Sequence, residues 1–205
     1  MQYQFSFKAH AEAIYHALIE DAFYITMEKS VDNGSAQEAM IRYMDYSILE
    51  GSQYGISHFP EKHQYGVSVW SKPLESKLEE EKDTKKKQFL QNHMGIKSLE
   101  TYDAIVSNMS AAAQGIIDER YWYLSIIGIL PKFQNQGLGR ELISRVLEET
   151  DSKNIPTYLE TFTARNISFY ERLGYRIATG IQEPTTRAEY WLMTRQPGSL
   201  KHTEG

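Results

Sequence analysis

Residues 121–130, "YWYLSIIGIL", form a run in which both alternating sets of positions are apolar. A strand of that kind belongs inside a sheet, covered on both faces. It leads through Pro131 into a polar stretch with two glycines, "KFQNQGLG", and then into "RELISRVLEETDSKN". There Leu142, Ile143, Val146 and Leu147 recur at helical spacing. "PTYLET" (156–161) follows as a second strand. A strand, a crossover helix and a second strand in one sheet are parallel and right-handed. This unit commits the chain to a mixed α/β architecture.

The flanking segments extend that sheet. Residues 2–8 read as a short strand and 9–22 as a helix carrying Ala13, Ile14, Ala17 and Leu18 on one face. Ser35 is placed to cap a second helix through about residue 49, with Met40, Ile41, Met44 and Ile48 as its apolar stripe. "YGISHF" and "QYGVSVW", separated by the turn "PEKH", read as an antiparallel hairpin. Residues 73–118 hold a charged helix, "PLESKLEEEKDTKKKQFL", read as a solvated face, and a second helix over 99–113. This helical pair lies between two strands and is placed to cover one end of the sheet. "NISFYERL" is a short helix stopped by Gly174, and "GYRIAT" with "EYWLMTR" makes a closing hairpin. We expect one domain over 1–197 and a flexible tail over 198–205.

A chain of 205 residues buries roughly 70% of its unfolded surface, enough for a sizeable core. Its formal charge of -5 disfavours a nucleic-acid partner. With no cysteine there is no disulfide, no thiolate nucleophile and no Cys-based zinc site. The six histidines show no metal-ligand spacing, so no metal is expected. No stretch reaches the roughly 20 apolar residues of a membrane span, and the N-terminus does not read as a leader. A cytoplasmic location is the expectation.

The stretch Gln134-x-x-Gly137-x-Gly139 sits where a helix begins near Leu138. Glycine permits positive φ and close approach of a ligand, and N–H groups at a helix start attract anions. Asn135 and Gln136 bring no negative charge, and Arg140 brings a positive one. The alternative is a plain strand-to-helix turn. The stretch is neither a Walker A loop nor a dinucleotide fingerprint. Some 27 residues beyond Gly139 comes "ARNISFYERLGY", where Asn166 is placed to cap a helix and Tyr170 lies one turn in. Tyr170 is either a packing residue or, as a phenol, a proton donor.

In this order and spacing, "YLSIIGILP", the Gln-x-x-Gly-x-Gly loop, "YLET", "NISFYERLGY" and "YWLMTRQP" resemble the GNAT acyltransferase family. Within it, they look most similar to the puromycin N-acetyltransferase group. The resemblance implies a mixed, mostly antiparallel sheet with a splayed parallel pair, helices on both faces, and an inserted helical pair at about 73–118. It implies acetyl-CoA as co-substrate. Its pyrophosphate would lie on the backbone of Gln134, Asn135, Gln136, Gly137, Leu138, Gly139 and Arg140. Its pantetheine arm would pair with Ile127, Gly128 and Ile129 and meet Asn166 and Phe169. Tyr170 would protonate the leaving thiolate. Where relatives often carry glycine or a basic residue, this chain has Asn135 and Gln136. Asn tolerates the left-handed region, so the loop geometry should persist with some loss of affinity.

The attacking amine needs a base. The strand 121–130 contains no carboxylate, so Glu160 on the next strand is the candidate, with Glu119 behind it. Glu160 is alternatively a structural carboxylate. Trp70, Tyr54 and Trp122 belong either to an acceptor pocket or to the core. The expected acceptor is the primary amine of a small molecule. A protein N-terminus or lysine, and a CoA-binding module without turnover, are the alternatives. The protein is expected to be a monomer or homodimer.

Overall fold

The computed structural model describes residues 4–60 and 65–199. Three helices come first: α1 (Lys8–Leu18), α2 (Ala22–Ser30) and α3 (Ala36–Tyr54). The hairpin β1 (Gly55–His58) and β2 (Gly66–Ser71) follows, then α4 (Ser76–His93) and α5 (Ile96–Ala113). The chain continues with β3 (Trp122–Ile129), α6 (Leu138–Ser152), β4 (Thr157–Thr161), α7 (Ile167–Glu171), β5 (Arg176–Glu183) and β6 (Ala188–Arg195). One sheet runs in the order β1-β2-β3-β4-β6-β5. Among the described residues only β3 and β4 pair in parallel; the other four pairings are antiparallel.

The long apolar strand β3 is central, as its composition requires. On one face of the sheet, Ile14, Met40, Met44, Ile48, Val67 and Ile126 pack with residues of α4 and α5. On the other, Leu142, Ile143, Val146 and Leu147 of α6 pack against Trp70, Trp122, Leu124 and Leu159. Trp70 and Trp122 are therefore core residues. Ser35 caps α3, its hydroxyl accepting from the Glu38 N–H at 3.4 Å. Among the described residues no helix is long and apolar enough to cross a membrane.

Two expectations at the N-terminus fail. Residues 4–7 form no strand: the N–H groups of Ser6 and Phe7 donate to the buried carboxylate of Asp45 instead of a ladder. Residues 2 and 3, and the turn residues 61–63, lie outside the described residues. The helix expected over 9–22 ends at Leu18, and Asp21, accepting from the Phe23 N–H at 3.0 Å, starts a further helix, α2, that was not expected.

Candidate active site

The parallel pair separates after three residue pairs, Trp122↔Thr157, Tyr123↔Tyr158 and Leu124↔Leu159. The cause is a bulge. On the β2 side, Val69 opposes Ile126 while Trp70 opposes Leu124, leaving Ser125 as the extra residue. A bulge bends its strand and reverses the facing of every later side chain. Accordingly Trp122 and Leu124 point to the α6 side, whereas Ile126 joins the opposite core. The Ser125 hydroxyl donates to the Val69 carbonyl at 3.0 Å and holds the bend. β4 stays with β6 through Thr161↔Trp191. Residues 125–129 thus have no strand partner on the β4 side, and a cavity of about 1320 Å³ opens there. Ile127, Gly128 and Ile129 line it.

The loop after β3 is built to expose backbone. A 3₁₀ turn, Pro131–Phe133, opens it. The Gln134 side-chain amide donates back to the Ile129 carbonyl at 2.9 Å, and that of Gln136 to the Lys132 carbonyl at 3.1 Å. Asn135 and Gly137 both adopt left-handed conformations, with φ of 60° and 78°. The N–H groups of residues 135–139 find no acceptor among the described residues. Successive N–H groups at the start of a helix make an anion-binding concavity. Gln134, Asn135, Gly137, Leu138 and Gly139 line the large cavity; Gln136 and Arg140 do not. Arg140 borders a separate hollow of about 550 Å³ with Arg145 and Glu148. Gly139 serves packing: a Cβ there would stand 3.0 Å from Phe169 Cζ.

Asn166 ends a 3₁₀ turn, Ala164–Asn166, and precedes α7. It does not cap that helix through its side chain, as expected from sequence; its backbone is helical, with φ −84° and ψ −17°. The turn already ties its N–H to the Thr163 carbonyl at 3.0 Å. Its side chain has no partner among the described residues and lines the cavity beside Phe169 and Tyr170. Tyr170 is buried, with its ring against Phe169 and Tyr175 at centroid distances of 5.2 and 6.1 Å. Its hydroxyl has no hydrogen-bond partner among the described residues. Burial, reinforced by Tyr175 and Asp21, pushes its pKa well above that of a free phenol. The phenol is therefore held in its protonated form.

Glu160 lies across the opening. Its carboxylate accepts from the Tyr190 hydroxyl. Burial raises its pKa and outweighs the lowering by the Tyr190 and Tyr123 hydroxyls. Tyr123 stacks on Tyr158 at 4.6 Å and 16°. Glu119 is exposed at the cavity rim.

Of the other half of the cavity, sequence reasoning offered Tyr54 alone. Tyr24 of α2, Tyr43 and Glu50 of α3, Lys86 of α4 and Tyr102 of α5 line it, and Tyr54 does so while donating to Glu81 at 3.0 Å. The inserted pair α4 and α5 therefore walls this cavity. The ammonium of Lys86 is 3.2 Å from Glu50, with both side chains largely buried. The available signal was positional: Lys86 stands three and four residues before the apolar Phe89 and Leu90.

A parallel pair that parts after a bulge, an N–H-lined loop at a helix start and a buried phenol thus border one cavity. Residues 99–177 match the family model described as an acetyltransferase (GNAT) domain. That stretch is similar to GNAT acetyltransferase domains, a type that uses acetyl-CoA. A Corynebacterium glutamicum structure, described as histone acetyltransferase HPA2 and related acetyltransferase, aligns over 96% of this chain and 93% of its own. Its TM-score is 0.62 at 18% identity. An N-acetyltransferase structure from Staphylococcus aureus covers 91% of this chain and 97% of its own, with a TM-score of 0.51 at 10% identity. At such identities the likeness is one of fold. In sequence, an uncharacterized N-acetyltransferase of Schizosaccharomyces pombe is 28% identical over 89 residues. That match spans 42% of this chain and 36% of the relative.

Proposed function

We propose that the protein is an N-acetyltransferase that moves the acetyl group of acetyl-CoA to a primary amine of a small molecule by direct attack. The observation that carries this reading is the split between β3 and β4, which opens onto the unfilled N–H groups of residues 135–139. The backbone from Gln134 to Arg140 would hold the pyrophosphate, with Gln136 and Arg140 contributing from outside the main cavity. Ile127, Gly128 and Ile129 would pair with the pantetheine amides as an added strand does. Asn166 and Phe169 would contact the same arm. The amine nitrogen attacks the thioester carbonyl; an N–C bond forms and the C–S bond breaks. Tyr170 gives its proton to the departing sulfur. Glu160, through the adjoining Tyr123 hydroxyl, takes the proton lost by the nitrogen. The raised pKa of Glu160 makes its carboxylate the stronger proton acceptor. The α4 and α5 walls on the acceptor half favour a small molecule over a polypeptide.

The test is thiol release from acetyl-CoA across a panel of amines, aminoacyl-like amines included. Turnover with one or more supports the proposal. Tight CoA binding by calorimetry without turnover on a wide panel would instead indicate a CoA-binding module. Label from acetyl-CoA entering protein bands of a lysate would make the acceptor a protein.

A further inference from the structure

Among the described residues a single side-chain polar atom is itself fully shut off from solvent and without a hydrogen-bond partner, and it is Oε1 of Glu50. Buried polar atoms of native proteins are satisfied in all but a few instances, so an orphan calls for a missing partner. Glu50 lines the large cavity on its α3 side. Its other oxygen is held by Lys86 at 3.2 Å. The surroundings suit a cation: the Lys86 ammonium itself lies 5.0 Å from the centre of the Tyr43 ring and 4.8 Å from that of Tyr46. Aromatic faces beside a carboxylate stabilise a partly desolvated ammonium.

Glu50 of α3 and Tyr170 of α7 line the same cavity, so one flexible acceptor can meet both.

We infer that the acceptor carries a second cationic nitrogen, which the Glu50 carboxylate binds while the first nitrogen is acetylated near Tyr170. The inference rests on the acetyl-transfer reading and adds the acceptor's chemical class to it. The terminal torsion of a glutamate is soft, so Oε1 can turn to a donor in the cavity while Oε2 keeps Lys86. Lys86 is then a built-in competitor for the same carboxylate.

The experiment is calorimetric titration of the CoA-loaded protein with 1,8-diaminooctane, 1-aminooctane and 8-aminooctanoate. The diamine should bind about tenfold or more tighter than the monoamine, the margin expected of one charged hydrogen bond. The amino acid should bind weakest. Glu50→Gln should remove the diamine's advantage, and Lys86→Gln should increase it. Should either variant fail to fold, the wild-type series decides alone. Equal binding of diamine and monoamine, or an advantage that survives Glu50→Gln, overturns the inference. Because calorimetry reads binding without turnover, Glu50-dependent diamine binding with no thiol release overturns only the acetyl-transfer reading.

Discussion

The two glycines of the loop do different work, and substituting each by alanine separates them. Gly137 has φ 78° and nothing within 4 Å of its missing Cβ. Gly137→Ala therefore meets no clash and loses only what a left-handed backbone costs an L-residue, about 1–2 kcal/mol. For a chain of this size that corresponds to a melting temperature lower by roughly 2–8 °C. If the fold tolerates the strain, the N–H groups of residues 135–139 keep their direction and CoA affinity changes little. Gly139 is the reverse case. It lies in α6, where alanine gains up to about 1 kcal/mol of helix propensity. But the new Cβ would stand 3.0 and 3.2 Å from Phe169 Cζ and Cε2 and 3.4 Å from Ile129 Cδ1. The Phe169 ring must retreat by a few tenths of an ångström, into the cavity it lines. Overpacking of about 1 kcal/mol, felt by the bound arm, weakens CoA roughly fivefold. Thermal unfolding and calorimetric CoA titration on both variants give the readout. The expected pattern is crossed: stability lost and affinity kept for Gly137→Ala, stability kept and affinity lost for Gly139→Ala. A Gly137→Ala protein that melts with the wild type, or a Gly139→Ala protein with undiminished affinity, would falsify the assignment.

Tyr170→Phe should lower kcat by about 10²–10³-fold, with the dissociation constant of CoA, measured by calorimetry, within about twofold of wild type. For Glu160, a raised folded pKa means that its relative contribution to stability is present below the unfolded pKa and lost as pH rises through the folded one. Glu160→Gln should thus remove part of the stability loss on going to neutral pH, seen in melting temperature against pH, while abolishing the acid-side fall in kcat/KM. An unchanged pH–rate profile would take Glu160 out of the base role. Asp151 binds the fully buried guanidinium of Arg195 through two contacts of 2.7 Å. Burial pushes its carboxyl up, but Arg195 and the Gly198 N–H bring it below the ordinary range. Its contribution is therefore present above an unfolded pKa of about 3.9 and is lost as pH falls through the folded value. Asp151→Asn should destabilise by about 3–5 kcal/mol in denaturant titration and flatten the acid limb of the stability curve; a loss below about 1 kcal/mol would show that Arg195 finds another partner.

The half of the cavity that we propose for acetyl-CoA was legible because each of its parts is contiguous. Residues 134–140 and 166–175 each carry their meaning locally, and the strand–helix–strand unit between them follows from periodicity. What failed depends on residues far apart in the chain. The alternation of residues 2–8 suits a strand, yet Asp45, some 38 residues on, takes the N–H groups of Ser6 and Phe7. The bulge at Ser125 exists only in register with Val69, so nothing in "YLSIIGIL" announces it. Without the bulge, the alternation of β3 would assign Ile126 to the face that Leu124 occupies, and the split that makes the cavity would have no cause.

The acceptor half shows the same limit from the other side. Its wall is assembled from α2, α3, α4 and α5 together with strand residues, so no window of sequence contains it. The run "EEEKDTKKK" was read as a solvated face, and for Glu81, Lys85 and most of its neighbours that holds: their pairings are exposed i,i+4 contacts. Lys86 is the exception, and periodicity explains why. It shares a helix face with Phe89 and Leu90, both buried. Burial there forces a counter-ion, and Glu50 supplies it. A pair placed only for stability could be replaced by apolar residues with little loss. This pair instead borders a cavity and leaves one carboxylate oxygen unfilled, which is the arrangement expected where a ligand completes the coordination that the protein leaves open.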